Sequence, residues 1–206
     1  IELKKDLTTA ELVELAQKQK NQDIESLLNK VKVCGACLGE TSNDLNEIVE
    51  CDNCGISVHE GCYGITESTS IASTISSAST EPWFCEPCRA GLRSETMSCE
   101  LCPTLGGILK ETDVGRWVHL VCALYVQGVA FGEPDKMTHI TIFEMNYSSW
   151  GRRACMLCED VRMARTGVCI QCDAGLCKCY FHVSCGQAHG LLSEPSYYES
   201  DPYLAH

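Results

Sequence analysis

Apolar positions along this chain come in short runs, and no run keeps one period for long. In residues 1–32, Thr8 or Thr9 can cap a helix with Glu11 in its first turn. Leu12, Leu15, Ala16 and Gln19 follow at helical spacing, and Ile24, Leu27, Leu28 and Val31 make a second helical patch. This pattern predicts an N-terminal helical segment that packs its stripe on the next unit or connects upstream. Glu47-Ile48-Val49-Glu50 reads as a short strand with β-branched residues between acidic ones. The most apolar stretch, Trp117 to Phe131, is too short to cross a bilayer and carries His119 and Cys122. The Ser/Thr-rich run from Thr66 to Thr80 reads as a flexible loop.

Such a pattern clusters too few apolar residues for one large core, so something else must hold each unit together. The composition names it. The 206 residues include 17 Cys and 6 His. Most Cys fall in C-x-x-C pairs, and His recurs shortly before a Cys. A tight C-x-x-C turn aims two thiolates at one metal, whereas a disulfide framework needs no such pairing. The odd Cys count and the lack of a signal peptide point to a reducing compartment, and the chain reads as part of something longer. Formal net charge is -12, and each Cys3His zinc site would add about one negative charge. That balance suits a basic partner and disfavours general binding of nucleic acid.

The first cluster, within residues 33–92, runs Cys34, Cys37, Cys51, Cys54, His59, Cys62, Cys85, Cys88. Eight ligands make two tetrahedral sites. They are assigned interleaved, with Cys34, Cys37, His59 and Cys62 on one zinc and Cys51, Cys54, Cys85 and Cys88 on the other. This order of four Cys, one His and three Cys resembles a PHD finger. A RING finger has its His fourth. Trp83, two residues before Cys85, matches the apolar residue that PHD fingers pack in their small core.

Cys99, Cys102, His119 and Cys122, within residues 93–150, form a compact one-zinc set. With the W-V-H-L-V-C run they resemble the zinc knuckle between two PHD fingers in a family of chromatin readers. Residues 151–206 give Cys155, Cys158, Cys169 and Cys172, then His182 and Cys185 in F-H-V-S-C. By the same interleaving, Cys155, Cys158, His182 and Cys185 share one zinc. G-V-C-I-Q-C and the later motif resemble the atypical second finger of that family. A fifth site on Cys169 and Cys172 needs two more ligands. His206, a pair beyond it, or Cys177 or Cys179 are the alternatives. His139 and His189 lie outside any ligand spacing.

The expected fold is a small zinc-stabilised α+β module: a cross-brace PHD finger, a zinc knuckle and an atypical PHD finger packed together, with the N-terminal helical segment in front. The expected cofactor is zinc, in four complete sites and a fifth. Closed sites leave no position for an activated water, and no nucleophile has a base beside it, so no enzyme activity and no small-molecule substrate are expected. No membrane contact is expected either.

The resemblance implies a nuclear reader of the histone H3 tail, added as a strand to the first finger. Asp44, Glu47, Glu50 and Asp52 surround the expected edge formed by Ile48 and Val49. Backbone carbonyls at Glu81 and Pro82 are implied as holders of the tail's N-terminal amine. No aromatic cage is evident, so an unmodified lysine at the fourth tail position is expected. The rival readings are a DNA contact through Arg116, Arg152, Arg153, Arg162, Arg165 and Lys178, a protein scaffold, and a RING-like ubiquitin ligase. Residues 89–186 hold ten basic and ten acidic side chains, which leaves no net attraction for DNA.

Overall fold

The computed structural model describes residues 32–65 and 82–193. The expected N-terminal helical segment, the Ser/Thr run, Glu81 and His206 fall outside the described residues. What is described is built from two-stranded antiparallel sheets and short helices.

Strand β1 (Ile48–Glu50) pairs with β2 (Ser57–His59), and the single-turn helix α1 (Glu60–Tyr63) follows directly. Helix α2 (Glu86–Arg89) closes the first unit. The middle unit repeats the theme: β3 (Leu109–Glu111) pairs with β4 (Trp117–His119), which runs into α3 (Leu120–Tyr125). A hairpin of β5 (Ala130–Glu133) and β6 (Thr138–Thr141) bridges onward. The third unit has β7 (Ile170–Gln171) paired with β8 (Tyr180–Phe181), then α4 (Val183–Ala188).

Each of the three strand-to-helix corners turns on a histidine. His59, His119 and His182 are the helix N-caps, and each keeps extended backbone angles (φ -67, -62 and -66). None uses its side chain as a cap. The imidazole is therefore free for another task while the chain turns.

The apolar residues are too few for three separate cores, and the units share them. The first cluster buries Val58 and Tyr63 with Ile108 and Leu120 from the middle unit. The second buries Leu101, Leu109, Val118 and Ile140 with Val168 and Val183 from the third. Hydrogen bonds follow the same seams. Val168 N donates to Leu101 O at 2.8 Å, and Trp150 Nε1 to Glu100 O at 3.0 Å. Gln187 Nε2 on α4 reaches back to Gly35 O at 3.0 Å and Ala36 O at 2.8 Å. At the end of α1, Gly64 takes a left-handed conformation (φ 75). A Cβ there would lie 2.1 Å from the Lys136 backbone, so the β5–β6 hairpin sits directly on that helix end.

Candidate metal centres and the open sheet edge

The histidine corners bring four groups of ligands together. Cys34, Cys37, His59 and Cys62 form one group, and Cys51, Cys54, Cys85 and Cys88 a second. Cys99, Cys102, His119 and Cys122 form the third, and Cys155, Cys158, His182 and Cys185 the fourth. Within each, all ligand atoms lie within 4.8 Å of one another.

The three groups with histidine are built alike. Nδ1 faces the sulfurs, at 3.3 Å from Cys37 and 3.8 Å from Cys62. It lies 3.1 Å from Cys102 and 3.9 Å from Cys122 in the second case. In the third it lies 3.2 Å from Cys158 and 3.8 Å from Cys185. Each histidine's own backbone N–H donates to the first cysteine of its group, Cys34, Cys99 or Cys155, at 3.3 Å. On the far side, His59 Nε2 meets Thr41 O at 2.8 Å, and His119 Nε2 meets Gly106 O. A backbone acceptor at Nε2 fixes the tautomer that leaves Nδ1 free for a metal. His182 Nε2 is buried, with the backbone of Thr166 beside the ring in a looser arrangement.

The second group lacks histidine and spans the first unit. Cys85 Sγ lies 3.7 Å from both Cys51 and Cys54. Asn53 Nδ2 donates to Cys88 Sγ at 3.2 Å, and Cys85 N to Cys51 Sγ at 3.4 Å. Hydrogen bonds of this kind favour thiolate over thiol. Packed thiols otherwise share protons unevenly. The Cys62 thiol hydrogen-bonds to Cys34 and lowers it to about 4, while Cys62 itself is raised by that contact. At Cys51, burial pushes upward, but backbone N–H groups of Cys85 and Cys54 outweigh it and bring the thiol to about 6. A dication of Zn²⁺ type removes the conflict by holding every sulfur as thiolate. The donors fit tetrahedral zinc, with four protein ligands at each of four sites.

The fifth site of the sequence reading is not assembled among the described residues. Cys169 is half-buried, which raises its thiol to about 12, and lies 3.5 Å from Arg153 O. Cys172 N donates to Cys179 O at 2.9 Å. Neither joins a group of three ligands, and His206 lies outside the described residues. Of the basic residues considered for DNA, Arg162 is held by Asp160 at 2.8 Å and Arg153 stacks on Tyr180.

One edge of the first sheet has no strand paired to it among the described residues, and the register says which. Cys51 N donates to Ile56 O, and Glu60 N to Glu47 O. By alternation, Val49 and Val58 exchange bonds, while Ile48 and Glu50 turn their backbone groups outward. The opposite edge is covered, since Ser57 O accepts from Gly35 N at 2.8 Å. Glu50 is exposed, with Lys32 3.1 Å from its carboxylate, and Asp44 and Glu47 are exposed nearby. Asp52 has a structural task as well. Its carboxylate accepts from Trp83 N at 2.7 Å, and its N–H donates to Trp83 O at 2.9 Å. These bonds tie exposed Pro82 and Trp83 to the end of β1. Trp83 meets Tyr63 edge-on, with ring centres 5.3 Å apart.

The PHD-finger family matches residues 34–88, and the family described as PHD-zinc-finger like domain matches residues 97–205. The chain belongs to the PHD-zinc-finger family. PHD finger protein 14 of Homo sapiens is 55% identical over 198 residues, which is 95% of this chain and 20% of that protein. Its Danio rerio counterpart is 56% identical over 198 residues, 95% of this chain and 21% of the relative. The protein named E3 ubiquitin-protein ligase Jade-2 of Homo sapiens is 40% identical over 161 residues, 77% of this chain and 18% of that protein. The chain therefore spans about a fifth of the length of these relatives. The crystal structure of zebrafish PHF14-PZP superposes with a TM-score of 0.67 at 55% identity, covering 82% of this chain and 80% of that one. The chain thus matches a PZP structure in fold and holds four Cys/His groups suited to zinc. The finger-like order of ligands carried most of this reading. The strand that bears the edge was expected at Ile48 and Val49, but which of its backbone groups face outward depends on register.

Proposed function

We propose that this module is a non-enzymatic nuclear chromatin reader that takes the unmodified N-terminal tail of histone H3 as an added strand on β1. The observation that carries this reading is the outward backbone of Ile48 and Glu50, on an edge flanked by carboxylates, while the other edge of the sheet is closed. Outward groups two residues apart suit tail residues two apart. A strand laid antiparallel on β1 would set an arginine against Glu50 and a lysine near Ile48, within reach of Glu47 and Asp44. The tail's N-terminal amine would then lie by the carbonyl of Pro82, next to Trp83, which Asp52 ties to the end of the strand.

Tyr63 and Trp83 pack on each other, and no aromatic cage stands beside the edge among the described residues. This supports a preference for unmodified lysine, whose ammonium keeps its donors for carboxylates. Closed four-ligand sites support a binder over a metal-activated catalyst. The test is calorimetric titration of the zinc-loaded protein with an unmodified H3 tail peptide and with the same peptide acetylated at its N-terminus. Binding lost on acetylation supports amine capture, and equal binding places the site elsewhere.

A further inference from the structure

The open edge is not wholly vacant. Ile48 N–H, one of its two outward donors, is bonded to Ser42 Oγ at 3.0 Å. The loop that delivers this hydroxyl is pinned on both sides. Thr41 O accepts from the zinc ligand His59 at 2.8 Å. Asn43 and Asn46 bridge each other, and Asn46 Oδ1 accepts from Gly61 N on α1 at 3.0 Å. Asn43 Oδ1 further accepts from Leu45 N at 3.0 Å, which tightens the turn. A hydroxyl fixed this way stands where the carbonyl of an added strand would stand. At Glu50, by contrast, no partner is bonded to the outward N–H among the described residues.

We propose that Ser42 is a built-in competitor for the incoming strand: its hydroxyl occupies the Ile48 amide and sets how strongly the tail pairs at its fourth residue. This rests on the strand-addition reading above. The tail pairs fully at Glu50, where both groups are open. At Ile48 it must displace the hydroxyl to complete the ladder, or bond only to the Ile48 carbonyl. The competition weakens backbone pairing at the lysine that Glu47 and Asp44 face, so residence there depends more on that lysine's charge.

Two variants test it. Ser42→Ala frees the amide, and Ser42→Thr keeps a hydroxyl. Calorimetry with the unmodified tail peptide is expected to show the Ala variant binding roughly two- to tenfold tighter, the range of one net hydrogen bond. The Thr variant is expected to bind as the parent does. Hydrogen exchange of the Ile48 amide in the peptide-free protein is expected to be faster in the Ala variant than in the parent. Equal or weaker binding by the Ala variant, with the parent binding normally, overturns the competitor role. Unchanged exchange at Ile48 overturns it without reference to any peptide. If neither parent nor variant binds the peptide while exchange at Ile48 still responds, strand addition fails and the Ser42 contact stands as structure only.

Discussion

The ammonium of Lys110 lies 2.8 Å from the carboxylate of Glu86 and 3.8 Å from the centre of the Tyr63 ring. Lys110 is on β3 of the middle unit, while Glu86 and Tyr63 belong to the first unit. Glu86 also accepts from Glu111 N at 3.1 Å, and Glu86 N donates to Tyr63 OH at 2.9 Å. The side chain of Lys110 is only 3% exposed. Burial lowers its pKa below 10.5, and Glu86 opposes that shift. Two zinc units are joined here by a buried charge and not by metal.

Removing one partner of a buried pair strands the other. Glu86→Gln is expected to cost about 3 kcal/mol in chemical denaturation. The double change Lys110→Met with Glu86→Leu is expected to stay within about 1 kcal/mol of the parent, because no charge is left buried. Since the folded pKa of Lys110 lies below its unfolded value, its contribution to stability grows as pH rises toward 10.5 and is lost as pH falls through the folded value. Lys110→Met is expected to remove that slope in denaturation curves taken at several alkaline pH values.

Zinc holds what the small cores cannot. Removing it with a strong chelator is expected to abolish the cooperative unfolding transition in circular dichroism, since structural zinc contributes on the order of 10 kcal/mol per site. Protons compete for the same sulfurs. Cys34 at about 4 and Cys51 at about 6 stand below the 9.0 of a free thiol. Their partners Cys62 and Cys85 are raised, and zinc needs every one of these sulfurs as thiolate, so acid weakens the hold on the metal. Zinc release followed with a chromogenic indicator is expected to rise on acidification.

Gly64 and Gly91 offer a controlled comparison. Both have positive φ, 75 and 72, but only Gly64 has neighbouring backbone where a Cβ would go. Gly91→Ala is expected to cost about 1 kcal/mol, the conformational penalty alone. Gly64→Ala is expected to cost about 3 kcal/mol or more in the same thermal melts, because Lys136 must move as well.

On the proposed reading surface, Glu50→Gln is expected to weaken tail binding about two- to fivefold, as suits an exposed ion pair worth up to about 1 kcal/mol. Trimethylation of the fourth tail residue is expected to weaken it further in side-by-side titrations. A tighter trimethylated complex would overturn the preference for unmodified lysine.

The ligand groups were legible because spacing alone constrains them: C-x-x-C and His-x-x-Cys put donors on one turn each. The three His corners could be read from the same motif. The Lys110–Glu86 pair could not, since nothing in sequence says which acidic residue of one unit meets which lysine of another. The strand at Ile48 was readable from β-branching, but the direction of its backbone groups needed the register with Ser57. Asp52 was read as part of an acidic surface, and the fold also uses it to hold Trp83.

The clamp from Gln187 to the carbonyls of Gly35 and Ala36 joins residues more than 150 positions apart. It closes the described module into a ring near its two ends. Tension applied through residues 32 and 193 would load this amide clamp together with the Lys32–Glu50 ion pair and the Tyr125–Ser193 hydrogen bond. Cys34 and Cys37 flank the two clamped carbonyls, so the seam between the first and last units and the first zinc group bear load as one joint.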